Sequence, residues 1–146
     1  MDSLTRQEVL DVLQGDWAEY IQKFHSLSLE TQSVFLRQQG YARFADLLAH
    51  IVAWWKVGFQ SVERYLNDPA SQPIKYDVDA INAEAIARAS KFDEAQVVTS
   101  FEKMRCFLID FVKVLPDSAF ENEKVANQLK MELVGHLSEH KIAASE

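Results

Sequence analysis

The stretch Val125-Ala-Asn-Gln-Leu129-Lys-Met-Glu-Leu133-Val-Gly-His136-Leu137-Ser-Glu-His140-Lys-Ile-Ala143 puts two histidines where the core residues of a helix belong. A helix turns by about 100° per residue, so Val125, Leu129, Leu133, His136, Leu137 and His140 fall in one apolar stripe. Both imidazoles therefore face inward. Residues four apart stand one above the other, close enough for both rings to reach one metal ion. A further inward group is needed to close such a site. The only other histidine in a strongly apolar segment is His50, in Phe44-Ala-Asp-Leu-Leu-Ala-His50-Ile-Val-Ala-Trp54-Trp55. Taken alone, His-x-x-x-His on a helix reads equally well as two satisfied core histidines.

Working outward, the chain of 146 residues has the size of a single domain, 1–146, able to bury a core without staples. It is 48% hydrophobic and 25% charged with only four Gly and three Pro, a balance that points to helices. A net charge of −7 and the lack of a basic stripe argue against nucleic acid as a partner. Cys106 is the one cysteine, which excludes an internal disulfide and fits a reducing cytoplasm. Its position predicts an outward-facing thiol. The start, Met1-Asp-Ser-Leu-Thr-Arg-Gln-Glu8, has none of the basic and apolar run of an export signal. The most apolar stretch, Phe44 to Phe59, is too short and too interrupted by Asp46, His50 and Lys56 to span a bilayer, so a soluble, cytoplasmic protein is expected.

The other elements follow from the same periodicity. Thr5 and Glu8 form a capping box that opens a first helix reaching His25, with Val9, Leu10, Leu13, Trp17, Tyr20, Ile21 and Phe24 on its apolar face. His25 belongs on the surface at that helix's end. Leu29 to Gln39 reads as a short helix stopped by Gly40. The second long helix, Ala42 to about Leu66, has an apolar arc broader than one core face needs, beside a polar strip of Asp46, Lys56, Gln60 and Glu63. Such a helix is either central or covers a second subunit with residues such as Trp55 and Phe59, and a two-fold homodimer is expected. Asn67 to Pro73 reads as a loop, Asp79 to Ala89 as a short helix, and Asp93 to Pro116 as the third long helix. Arg105 falls inside that helix's apolar arc, so it pairs with an internal carboxylate or awaits an anionic ligand. Four long amphipathic segments without strand alternation predict an all-α four-helix bundle, which builds sites from facing helices.

The run Gly40-Tyr-Ala-Arg-Phe-Ala-Asp46-Leu-Leu-Ala-His50-Ile-Val-Ala-Trp54-Trp55 resembles the G-W-s-x-x-D-L-L-A-H-x-x-x-W segment of the DinB/YfiT-like metalloenzyme superfamily. Gly135-His136-Leu-Ser-Glu-His140 resembles that superfamily's closing H-x-x-x-H. Between them, Asp77-Val-Asp-Ala-Ile-Asn82 and the Asp93 to Pro116 helix are similar to the ClbS/DfsB-like branch. The resemblance covers most of the chain. It implies a DinB-like four-helix bundle with short accessory helices and longer crossover connections. It also implies a divalent metal ion, zinc or nickel, held by His50, His136 and His140.

Activities in that superfamily include thiol-dependent transferases and isomerases that use mycothiol or bacillithiol, and a colibactin-resistance hydrolase. The resemblance thus implies a metal-dependent transferase or hydrolase acting on a small molecule, a thiol adduct or reactive electrophile, in detoxification or stress response. A low-molecular-weight thiol is the implied second cofactor. The alternative is a non-enzymatic binding, sequestering or resistance protein of the ClbS/DfsB type. Three neutral imidazoles leave an ion's charge uncompensated, which favours an anionic further ligand. Asn82 and Arg105 are the candidate cofactor- or substrate-binding residues. Glu132 and Glu139 flank the helix face, where glutamates are ordinarily solvated.

Overall fold

In the computed structural model, which describes residues 3–142, the chain is all helical, with no strand among the described residues. Met1 and Asp2 of the N-terminal reading and Ala143 at the end of the quoted stretch lie outside them. In chain order the elements are α1 (Arg6–Gln14), α2 (Asp16–His25), α3 (Leu29–Gln39), α4 (Phe44–Asn67), α5 (Val78–Ala89) and α6 (Glu94–Val114). They are followed by α7 (Asp117–Glu121), α8 (Glu123–Leu129), a π-helical segment (Lys130–Gly135) and α9 (His136–Glu139). Among the described residues, no helix is long and apolar enough to cross a membrane.

The local signals act where expected. Thr5 and Glu8 form the capping box of α1, Gly40 ends α3 in the left-handed conformation at φ 87°, and Asp93 with Gln96 forms the capping box of α6. Two helices expected to be continuous are broken. Gly15, at φ −104° and ψ −92°, separates α1 from α2; a side chain there would come 2.7 Å from the carbonyl oxygen of Asp11. The second break is the π-helical segment, treated with the site.

The breadth of the apolar arc on α4 is accounted for within the chain, because α4 packs against α3, α5, α6, α8 and the π segment. Trp55, a candidate for a subunit interface if the helix were not central, is 1% exposed and lies against Trp17 and Phe101. Buried side chains from α1, α2, α3, α4, α6, α7, α8 and the π segment join in one core, with the aromatic group Trp17, Tyr20, Trp55 and Phe101 at its centre. Asp46, read as part of the polar strip, is buried as well, and its carboxylate accepts from Arg43 at 2.7 Å and 3.2 Å. Arg43 also donates to the carbonyls of Ala89 and Phe92, so this pair fastens the exit of α5 to the start of α4. That placement of α5 puts Asn82 over His50.

Candidate metal centre

His50 comes from the middle of α4, His136 from the first position of α9 and His140 from the residue that ends α9. All three are buried, and each offers a ring nitrogen within 4.8 Å of the others, so the three could hold a metal ion. Nε2 of His50 and Nε2 of His140 are 3.1 Å apart. The ring centroids form a near-equilateral triangle with sides of 4.9, 5.0 and 5.3 Å. Three imidazoles ligated about 2.1 Å from one ion at tetrahedral angles would have centroids about 5 Å apart. The tetrahedral metal geometry and the observed triangle agree.

The groups around the rings decide which nitrogens face the centre. Trp54 Nε1–H, which can only donate, is 2.7 Å from Asn82 Oδ1, and this fixes the amide oxygen at that position. His50 Nδ1 lies 2.9 Å from the same oxygen and therefore donates to it. A neutral imidazole has one N–H, so Nε2 of His50 carries a bare lone pair. His140 repeats the arrangement: its Nδ1 is 2.7 Å from Gln39 Oε1, while Gln39 Nε2 donates to the Glu139 carbonyl at 3.4 Å. Two bare nitrogens thus confront each other at 3.1 Å, a contact that only a cation between them makes favourable. A proton is disfavoured in that role. Burial and then the His50 charge push His140 down to about 4, and burial lowers His50 against the opposing effect of its bond to Asn82. A metal ion fits this donor set, because it requires neutral imidazoles whose remote N–H is held by an acceptor.

His136 differs from the other two. Burial, with smaller contributions from His140 and His50, pushes it down to about 3 against the opposing effect of the Glu132 backbone. Its Nδ1 is buried and has no hydrogen-bond partner among the described residues; the nearest carboxylate oxygen, Oε2 of Glu132, is 3.9 Å away. Glu132, expected to be solvated, is 7% exposed, and burial followed by the charge of Glu139 raises its carboxyl to about 7. Glu139 itself is exposed as expected.

Glu132 lies on, and His136 directly after, the irregular backbone of Lys130–Gly135. The His136 N–H bonds to the Met131 carbonyl five residues back, the signature of a π turn, a feature found often at functional sites. The Leu133 carbonyl accepts instead from Trp17 Nε1 at 2.8 Å, and the His140 carbonyl accepts from the Tyr20 hydroxyl at 2.6 Å. Both donors stand on α2, so the aromatic core holds the two-histidine segment by its main chain.

Of the residues singled out from sequence, His50, His136, His140 and Asn82 come together. Arg105 does not join them: it donates to Glu102 at 2.6 Å and 3.1 Å and to the Leu13 carbonyl at 3.0 Å, the internal pairing that was one of its two readings. His25 is exposed and 2.8 Å from Glu94. Gln39 was missed, and Glu132 was named beside the helix face but read as solvated. Gln39 carries no signal beyond preceding Gly40, whereas Glu132, His136 and His140 recur at four-residue intervals that already mark one face. A cleft of about 530 Å³ lies between α4, α5 and α6 and is lined by none of the three histidines. Comparison with models of known protein families, with curated proteins and with solved structures returns no match.

Proposed function

We propose that this chain is a divalent-metal-binding protein of the DinB type, a four-helix bundle that holds zinc or nickel on His50, His136 and His140. In this reading it works in the cytoplasm as a metal-dependent transferase or hydrolase on a small molecule, a thiol adduct or reactive electrophile. The observation that carries the reading is the 3.1 Å approach of two nitrogens whose rings both donate through Nδ1. The sequence resemblance at Asp46-Leu-Leu-Ala-His50 and His136-Leu-Ser-Glu-His140 supports it independently. When bound, the ion supplies Lewis acidity at positions left open by three protein ligands. The chain itself supplies neutral nitrogens, so the charge of the ion favours an anionic partner such as a thiolate. Asn82 and Gln39 hold the rings in the ligand tautomer, and the Tyr41 ring, 5.4 Å from that of His50, walls the centre beside α4.

Elemental analysis of protein purified without a histidine tag tests the first step. One metal per chain is expected, falling to none in His50→Ala, His136→Ala, His140→Ala, and metal-free wild type under metal-replete conditions would refute the reading. Turnover assays with a low-molecular-weight thiol and a panel of electrophiles then separate enzyme from binding protein. The non-enzymatic alternative is favoured by one observation, the burial of all three histidines below 9% exposure. Metal occupancy without turnover of any thiol–electrophile pair would establish that alternative.

The expected homodimer keeps Phe59 of the residues read in the sequence but not the buried Trp55. Phe59, Phe107 and Phe111 pack edge to face across α4 and α6, with Phe107 46% exposed, and this cluster is the apolar surface that a second copy would cover. Light scattering at micromolar concentration reads the mass, and a monomer would exclude the dimer.

A further inference from the structure

We propose that Glu132 is a positioning residue for His136, the third acceptor in a set that Asn82 and Gln39 begin; this rests on the metal-centre reading above. Each of the other two histidines has its Nδ1–H held by an amide oxygen, at 2.9 Å and 2.7 Å. His136 Nδ1 is also buried and has no side chain within hydrogen-bond distance among the described residues; the backbone of Glu132 acts on it, and the polar side chain it faces is Glu132, with Oε2 at 3.9 Å. That distance exceeds a hydrogen bond by less than 1 Å, which a small rotation of the glutamate side chain closes. Ligation at Nε2 makes the remote N–H a stronger donor, so the bond forms as the ion binds.

The surroundings of Glu132 are built for this role. Its other oxygen, Oε1, accepts from Gln128 Nε2 at 3.3 Å, which leaves Oε2 for His136. Across from it stands Gly58 of α4, and a side chain there would come 2.6 Å from Glu132 Cγ and 3.0 Å from its Cβ. Gly58 has no need of glycine's backbone freedom in the middle of a helix; the close approach of Glu132 is what demands it. The π turn completes the device. With the His136 N–H bonded to Met131, Glu132 and His136 keep the shared inward face of their four-residue spacing, with Leu133 buried between them. A ligand histidine backed by a carboxylate is more basic than one backed by an amide, so His136 is the strongest of the three donors.

The test reads histidine tautomers and metal affinity separately. In the metal-free full-length chain, long-range proton–nitrogen NMR of the imidazoles should find His136 protonated at Nδ1. Competition against a chromophoric chelator, with Zn²⁺ as the probe, should show Glu132→Ala binding roughly 10- to 100-fold more weakly than wild type. Glu132→Gln, which keeps an acceptor oxygen, should recover most of that loss, and Gly58→Ala should weaken binding in the same direction with the glutamate present. A wild-type His136 protonated at Nε2, or Glu132→Ala binding Zn²⁺ as tightly as wild type, would overturn the assignment. Because the tautomer measurement needs neither metal nor a variant, an Nε2–H form would overturn the role of Glu132 even if wild type were to bind no Zn²⁺, a result that would instead overturn the metal-centre reading.

Discussion

Helix α6 and the last stretch of chain, Glu123 to His140, both carry an apolar stripe at helical spacing, yet they fold differently. α6 runs unbroken for 21 residues, capped by Asp93, with Val97, Phe101, Leu108 and Val112 buried. Its one inward charge, Arg105, is matched three residues away by Glu102. The last stretch is divided into a seven-residue helix, a six-residue π segment and a four-residue helix. It buries Glu132, His136 and His140 beside its leucines. In α6 the helix is regular along its length, and Arg105, its inward charge, bonds to Glu102 and the Leu13 carbonyl, not to a common centre. In the last stretch the carbonyls of Leu133 and His140 are held by Trp17 and Tyr20, leaving the side chains free to aim at a common centre. Stability therefore resides mainly in the first region and ligand geometry in the second.

The strongest way to break this division is to empty the aromatic core from the α6 side. Phe101 is fully buried against Trp17, Tyr20 and Trp55. Phe101→Ala should destabilise the fold by about 3–5 kcal/mol, measured by urea unfolding, while the metal stoichiometry of the protein that remains folded is unchanged. A loss of metal parallel to the loss of stability would show that the two regions are one unit.

Metal removal probes the other side. The core clusters hydrophobic side chains from nearly every helix independently of the three histidines, so the metal should stabilise the fold without being required for it. A ligand that binds only the native state adds about 2.7 kcal/mol at a hundred times its dissociation constant. Chelation should lower the melting temperature and leave the helical circular dichroism intact at room temperature. The His136→Ala, His140→Ala variant should respond little to chelator. Loss of helix on chelation would mean that the last stretch depends on metal to fold.

The contrast also explains what the sequence made legible. In α6 the side-chain period matches the backbone period, so its cap, its buried face and its exit at Pro116 were all readable. In the last stretch the inward histidines were readable because four-residue spacing survives a single wide turn, but the π turn itself was not, because the hydrogen bond from His136 to Met131 leaves no mark in composition. Asp46 and Glu132 were misjudged for one reason. A charged side chain is assigned to solvent unless a partner is visible, and the partners of these two, Arg43 and the Gly58 cradle, became evident only in three dimensions. Gln39 required knowing how the end of α3 meets the end of α9.

A smaller effect is expected from pH, since two opposing titrations meet in the last stretch. For the metal-free protein, His50, His136 and His140 all have folded values lowered below the unfolded 6.5. Below pH 6.5 the unfolded chain then binds more protons than the folded one, and stability falls as pH falls. Glu132 acts the other way. Its folded value, about 7, lies above the ordinary 4.5, so the stability it contributes is full below pH 4.5 and is lost as pH rises to 7. Between 4.5 and 6.5 the two slopes oppose each other. Glu132→Gln should therefore steepen the loss of stability on acidification from pH 7 to 5, followed by unfolding at a series of pH values. An unchanged slope would mean that Glu132 does not hold its proton in the folded state. Variants confined to α6 should leave the slope as it is.

The smallest expected effect is the sharpest test of how the regions are joined. The Tyr20 hydroxyl is the buried donor to the His140 carbonyl, and its ring packs with Trp17, Phe44 and Phe101. Tyr20→Phe keeps that packing and removes only the hydroxyl, so stability should fall by about 1 kcal/mol, the ordinary net worth of one hydrogen bond. Zn²⁺ affinity should fall as well, because His140 loses the main-chain anchor that holds Nε2 opposite His50. Phe101→Ala, although far more destabilising, leaves that anchor in place and should change the affinity less. The comparison therefore inverts the order of the two variants between the unfolding experiment and the metal titration. If Tyr20→Phe bound Zn²⁺ as tightly as wild type, the hydroxyl would serve the core alone, and the geometry of His140 would be set by Gln39 and the helix itself.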